Sequence, residues 1–305
     1  MAIPFNAEEF NNPGDHLVIA TALNGHVRLV GCRSTALTQE ALRVHDLSPL
    51  SAMLLGRFLT GAALLGSDLK SQGDRMSMQL TCDGPLGGMT VVAESDGTVR
   101  GDIVNPHVPN LQNDQHKADL KTAVGRGQLK VIRDLGLGHP YTGTVELMNG
   151  GIGDELANYL ARSEQIESVV GVGVTLDHNG VRQAGGILVQ LMPGADDQEA
   201  AYVEARAKGY PDITYWLEEG FTPAQLLDLF MGDPDIQYLQ SRSLSYQCNC
   251  SRSRMTRNLF SLGAEELYDL AGQPEGAELI CHFCHRHYHF TPQELTELAA
   301  AALGQ

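Results

Sequence analysis

Cys248-Asn249-Cys250 and Cys281-His282-Phe283-Cys284 are the two stretches around which the chain is organised. They carry four of its six cysteines, one pair spaced C-x-C and the other C-x-x-C, with thirty residues between them. Two sulfurs on one tight turn can point at a single ion, and a second turn completes a tetrahedral shell. A lone C-x-x-C is weak, since redox motifs share it, but two close pairs together point to one zinc ion on Cys248, Cys250, Cys281 and Cys284. The C-x-C half is the unusual one, because most structural zinc sites leave two to four residues between paired ligands. Its two sulfurs are near enough to oxidise to each other, and Arg242, Arg252, Arg254 and Arg257 crowd the pair. Cationic neighbours favour the thiolate, the form that an oxidant attacks. Spacing and charge alone favour a structural zinc knuckle and leave a redox switch open.

C-x-C, thirty residues, then C-x-x-C, at the end of a chain of 305 residues, resembles the redox-regulated holdase chaperones of the heat-shock protein 33 family. The likeness extends along the chain. Cys82-Asp83-Gly84-Pro85-Leu86-Gly87-Gly88, Val99-Arg100-Gly101, and Ala184-Gly185-Gly186-Ile187-Leu188-Val189-Gln190 resemble that family's N-terminal domain. The resemblance implies an ATP-independent chaperone, not an enzyme, that zinc keeps inactive while the thiols are reduced. Oxidant would join Cys248 to Cys250 and Cys281 to Cys284, zinc would leave, and apolar surface would be uncovered for unfolding client proteins. It also implies a homodimer when oxidised.

The net charge of −16 argues against a nucleic-acid surface. No run of eighteen apolar residues appears, so no membrane span is expected. Met1 to Phe10 carries two glutamates and no basic n-region, unlike a secretory signal. Six cysteines are too few for a disulfide scaffold, and a reducing cytoplasm would keep them as thiols. A cytoplasmic location is therefore expected.

Residues 1–194 read as an α+β core with a large, mainly antiparallel sheet. Leu17 to Leu23 and Val27 to Cys32 form a hairpin about Asn24-Gly25, with Cys32 facing the core. Helices are expected from Gln39 to His45 and from Leu50 to Leu69. The second is apolar on most faces, with Ala52, Gly56, Gly61 and Ala62 allowing close neighbours. Met76, Met78, Leu80 and Cys82 alternate with polar residues as in a half-buried strand. Further strands read as Met89 to Ala93, Val99 to Val104, Gly125 to Arg133, Thr142 to Leu147, Val169 to Leu176 and Ile187 to Met192. Pro106 to Asp119 reads as a loop with His107 and His116 solvated. Asn149-Gly150-Gly151-Ile152-Gly153-Asp154 has no lysine and fits no phosphate-loop pattern; Asp154 and Glu155 would repel a phosphate. It reads as a turn into an amphipathic helix with Leu156, Tyr159 and Leu160 on one face.

Pro193-Gly194 marks a boundary, and residues 195–247 read as a helical linker. From Ala195 to Gln240 there are ten acidic and two basic residues, yet the stretch holds Trp216, Phe221, Leu226, Leu227, Leu229, Phe230 and Met231. Self-repulsion opposes order here and docking favours it. Thr222-Pro223 starts a helix with Leu226, Leu229 and Phe230 on one face. The family resemblance implies a metastable linker. Ile236 to Ser245 reads as an extended lead-in, and residues 248–305 read as a small C-terminal zinc domain: helices from Arg252 to Leu262 and Ala264 to Leu270, short strands Ala277 to Ile280 and Tyr288 to Phe290, and a last helix opened by Thr291-Pro292-Gln293-Glu294. His282, His285, His287 and His289 read as solvated side chains beside a complete four-thiolate shell. The alternative class is a zinc-ribbon module for nucleic acid or protein, but residues 241–305 hold five basic and seven acidic side chains.

Overall fold

The computed structural model describes residues 10, 12–115, 117–210, 212–232 and 236–303; His116 lies outside them. The chain divides into two compact units, Met1–Gln247 and Cys248–Gln305.

In chain order the first unit contains β1 (His16–Ala22), β2 (Val27–Arg33), α1 (Thr35–His45), α2 (Pro49–Leu65), β3 (Arg75–Cys82), β4 (Gly88–Glu94) and β5 (Thr98–Ile103). There follow α3 (Leu120–Val124), β6 (Gly127–Asp134), β7 (Tyr141–Glu146), α4 (Ile152–Tyr159), β8 (Ser168–Asp177) and β9 (Gly180–Leu191). The last part is α5 (Asp197–Gly209), α6 (Ile213–Glu218), α7 (Pro223–Met231), β10 (Gln237–Ser243) and β11 (Ser245–Tyr246). The strands divide between two sheets, ordered β10-β1-β2-β9-β8 and β11-β5-β4-β3-β6-β7. Every pairing is antiparallel except the short β11–β5 pair. This is the expected α+β, mainly antiparallel architecture, with two sheets in place of one large one.

Helix α2 packs against strands of both sheets and carries the main core. Ser48 caps it, accepting from the Ser51 amide at 3.5 Å, and Pro49 costs nothing in the first turn, where its missing N–H has no partner to lose. Its small residues admit neighbours closely. A Cβ on Gly56 would lie 2.4 Å from Thr38 Cγ2, and one on Gly61 would lie 2.3 Å from Leu156 Cδ1. The span Pro49–Asp68 is long and apolar enough to cross a membrane, but 89% of its apolar window is buried inside the fold, as in a core helix. Cys32 is fully buried, as expected, and burial pushes its thiol far above the usual range.

Some boundaries differ for tertiary reasons. Helix α1 begins four residues before the expected start, because Asp15, distant in sequence, accepts the Leu37 amide at 2.7 Å. Helix α2 ends at Leu65 and tightens into a 3-10 turn, Gly66–Asp68. Helix α3 was not legible; Asp119 caps it by accepting from the Thr122 amide at 3.1 Å. The Asn149–Asp154 turn has filled its own amides: the Glu155 carboxylate accepts from Met148, Asn149 and Gly150 N–H at 2.7–3.0 Å. His107 is exposed, as expected.

The second face of the β1-β2-β9 sheet is covered by α5, α6 and α7. Ala20, Ala22, Val27, Leu29, Ile187 and Val189 meet Val203, Ile213, Leu217, Leu226, Phe230 and Met231. Of the face expected on α7, Leu226 and Phe230 are fully buried and Leu229 is half-buried; Leu227 takes the inner position instead. Capping boxes start α5, from Asp196 and Glu199, and α7, from Thr222 and Gln225. The Arg206 guanidinium donates to the Leu229 and Phe230 carbonyls, ending α7. A Cβ on Gly31 would lie 2.7 Å from the Pro223 carbonyl and 3.2 Å from Leu227 Cγ, so α7 approaches β2 backbone to backbone. Gly31→Ala is therefore expected to loosen α7 by about 1–3 kcal/mol. Hydrogen exchange should accelerate in residues 213–231 and not in β3 and β6; unchanged exchange in α7 would refute the close approach.

Candidate metal centre

The second unit is built from α8 (Arg252–Phe260), α9 (Ala264–Ala271), a hairpin of β12 (Ala277–Ile280) and β13 (His287–Phe290), and α10 (Pro292–Leu303). Ser251 caps α8 by accepting from the Arg254 amide at 3.3 Å. Thr291 and Glu294 exchange cap bonds at the start of α10, the expected capping box. The apolar core is small: Met255, Leu259, Leu267, Tyr288, Phe290, Leu295 and Ala299, with Cys281 among them. The β12–β13 pairing runs Ala277 to Phe290 through Ile280 to His287 and leaves Cys281 to Arg286 as the turn. Within it the Cys281 amide donates to the Arg286 carbonyl at 3.0 Å and the His285 amide to the Cys281 carbonyl at 2.8 Å. His285 closes the turn in the left-handed region, at φ 53°.

This turn brings Cys281 and Cys284 to the sulfurs of the C-x-C pair. All four Sγ atoms lie within 4.8 Å of one another. Cys248 Sγ is 3.6 Å from Cys281 Sγ, and Cys250 Sγ is 3.4 Å from Cys284 Sγ. Cys281 is buried and the other three are half-buried. Four thiols at this separation can hold one metal ion. The histidines stay outside: His282, His285, His287 and His289 are all exposed, with His287 on Glu278 at 3.0 Å and His289 on the Glu275 carbonyl at 2.7 Å.

The sulfurs are not equivalent. Burial raises Cys248, and sharing a proton with Cys281 raises it further. Burial likewise raises Cys284. Burial also acts to raise Cys250, but the Tyr288 hydroxyl and the neighbouring thiols donate to it and outweigh that, bringing it down to about 7. Tyr288 Oη lies 3.1 Å from Cys250 Sγ. Three of the four arginines singled out in the sequence are engaged away from the sulfurs, Arg242 on the Leu69 carbonyl at 3.3 Å. Arg252 donates to Glu294 at 2.6 Å and to the His289 carbonyl at 2.8 Å, and stacks over Phe290; Arg254 donates to Asn249. The cation whose charge is coupled to Cys250 and Cys284 is Arg286, which was not anticipated, and neither was Tyr288. The one signal for both was their place within four residues of Cys284, at the end of the turn and in the strand after it, whose register no motif encodes.

A family model described as Hsp33 protein matches residues 15–291. A 33 kDa chaperonin of Ruminiclostridium cellulolyticum is 41% identical over 285 residues, spanning 93% of this chain and 98% of that protein. One of Geobacillus kaustophilus is 41% identical over 292 residues, 95% and 99% of the two chains. The crystal structure of the 33 kDa chaperonin, a heat shock protein 33 homologue, from Thermotoga maritima superposes with a TM-score of 0.86 at 32% identity, covering 95% of this chain and 99% of that one. The fold is that of a chaperone, a class whose members bind client proteins and are not enzymes. The chain belongs to the Hsp33 family.

Proposed function

We propose that the chain is a redox-regulated, ATP-independent holdase of the cytoplasm, reading the four converging sulfurs as its switch. The donor set suits one zinc ion: Zn–S bonds of about 2.3 Å in a tetrahedron separate the sulfurs by about 3.8 Å, close to the spacings seen here. Zinc, held by Cys248, Cys250, Cys281 and Cys284, would supply a thiolate cross-link in place of a large core. Structural zinc contributes roughly 10–16 kcal/mol in small finger peptides, against about 5–15 kcal/mol for whole domains. Seven core side chains and Cys281 cannot make up such a loss.

Peroxide or hypochlorite would join Cys248 to Cys250 and Cys281 to Cys284, as the family likeness implies. Each disulfide takes two sulfurs out of the thiolate set, and the unit 248–305 then unfolds. Residues 195–247, which run directly into Cys248, act as the metastable linker between this redox-switch domain and the core domain 1–194. Two features support metastability. Ten carboxylates repel one another along residues 195–240. Trp216 Nε1 and Arg57 Nε are buried with no hydrogen-bond partner among the described residues, each at a cost of about 1–3 kcal/mol. Release of α5–α7 would uncover the apolar face of β1, β2 and β9 for unfolding clients, and oxidised chains would pair as dimers.

The test is light scattering from a thermally unfolding client, with zinc release followed in the same samples. Suppression by the peroxide-treated chain alone, with about one zinc released per chain, is the expected result. Equal suppression by the reduced, zinc-loaded chain would replace the switch with a constitutive chaperone. Cys248→Ser is expected to abolish the oxidant dependence; a variant that still responds to peroxide as the parent does would refute the mechanism.

A further inference from the structure

Tyr288 stands at the centre of β13, paired with Leu279 of β12, and is 8% exposed. Its ring is part of the apolar core of the second unit, which fixes where the hydroxyl points. That hydroxyl lies 3.1 Å from Cys250 Sγ. The hydroxyl donates in this contact, so its proton is directed at the sulfur. Cys248 and Cys284 receive main-chain N–H instead, from Cys250 and Arg286. These donors persist whatever side chains are substituted.

We infer that Tyr288 is a positioning residue of the switch, whose hydroxyl slows oxidation of Cys250 in the reduced, zinc-loaded chain. The inference rests on the redox reading above and adds a residue to it. In the attack, Cys250 Sγ supplies an electron pair to one peroxide oxygen. The S–O bond forms, the O–O bond breaks, and hydroxide leaves to be protonated by solvent. The sulfur is oxidised by two electrons to a sulfenic acid and the peroxide is reduced by two. A second thiolate then displaces hydroxide from that sulfur and forms the disulfide.

With metal bound, every ligand sulfur is already a thiolate, so the fraction deprotonated no longer distinguishes them. Intrinsic nucleophilicity decides, and it falls when a donor draws charge from the sulfur.

The experiment compares the zinc-loaded full chain with Tyr288→Phe and with 3-fluorotyrosine placed at position 288. The first removes the O–H and keeps the ring; the second keeps the ring and strengthens the donor. Substoichiometric peroxide with a sulfenic-acid trap, read by fragmentation mass spectrometry, gives the first-hit rate at each of the four sulfurs. Zinc release without oxidant reports on the fold of each variant. Tyr288→Phe is expected to raise the Cys250 rate about three- to tenfold and to raise its share of first hits. The fluorinated residue is expected to lower both, and it carries the test if the phenylalanine variant fails to hold zinc. An unchanged Cys250 share in the variants, or equal acceleration at all four sulfurs, overturns the role of Tyr288 while leaving the switch standing. A parent chain that keeps its zinc and all four thiols under peroxide overturns both.

Discussion

The convergence of four sulfurs within 4.8 Å is the constraint on which the second unit depends. Its helices and its single hairpin share a core of few side chains, and one of the cysteines is itself part of that core. The turn from Cys281 to Arg286 is held by its own main-chain bonds, and the strands on either side of it set where the sulfurs point. A unit of this size has little apolar area with which to offset the entropy of ordering. On the proposed reading, its fold and the state of its thiols are one equilibrium. The first unit is different in kind, because α2 lies between two sheets and supplies a core that needs no cross-link.

Helices α5 to α7 sit between these extremes. They bury a continuous apolar face on β1, β2 and β9, and their ends are capped with care. Against this stand the acidic excess of the segment and two buried donors, Trp216 Nε1 and Arg57 Nε, with no partner among the described residues. On the proposed reading, opposing terms of a few kcal/mol each leave an assembly that is ordered yet close to balance. That balance is what a conditional binding surface requires, since a face too firmly covered cannot be uncovered and one left bare would aggregate.

At the thiol centre, chemistry is graded by small differences in surroundings. Arg252 and Arg254, near the C-x-C pair in sequence, are drawn off to Glu294, Phe290 and Asn249. The donors that do reach the sulfurs are a tyrosine hydroxyl and main-chain amides, with Arg286 behind them. Charge proximity in sequence was a poor guide here because a flexible cation goes to the nearest carboxylate or ring, whereas a strand residue has no such choice.

Much was legible in the sequence. The period-two alternation from Met76 to Cys82, the apolar run from Leu50, the Asn-Gly turns and the Thr-Pro and capping-box starts are local signals, and local sterics and hydrogen bonding produced those elements close to where they were expected. The cysteine spacings likewise marked the four thiols, because short paired spacings are themselves a geometric statement. What the sequence left open was set by contacts between distant residues. Asp15 extends α1 by capping it from outside, Glu155 fills the glycine turn, and the strands separate into two sheets around α2. Tyr288 reaches Cys250 across thirty-eight positions through the β12–β13 register. Local rules fix a residue's conformation and face, but which distant group it meets depends on how whole elements pack, and only the tertiary structure decided that.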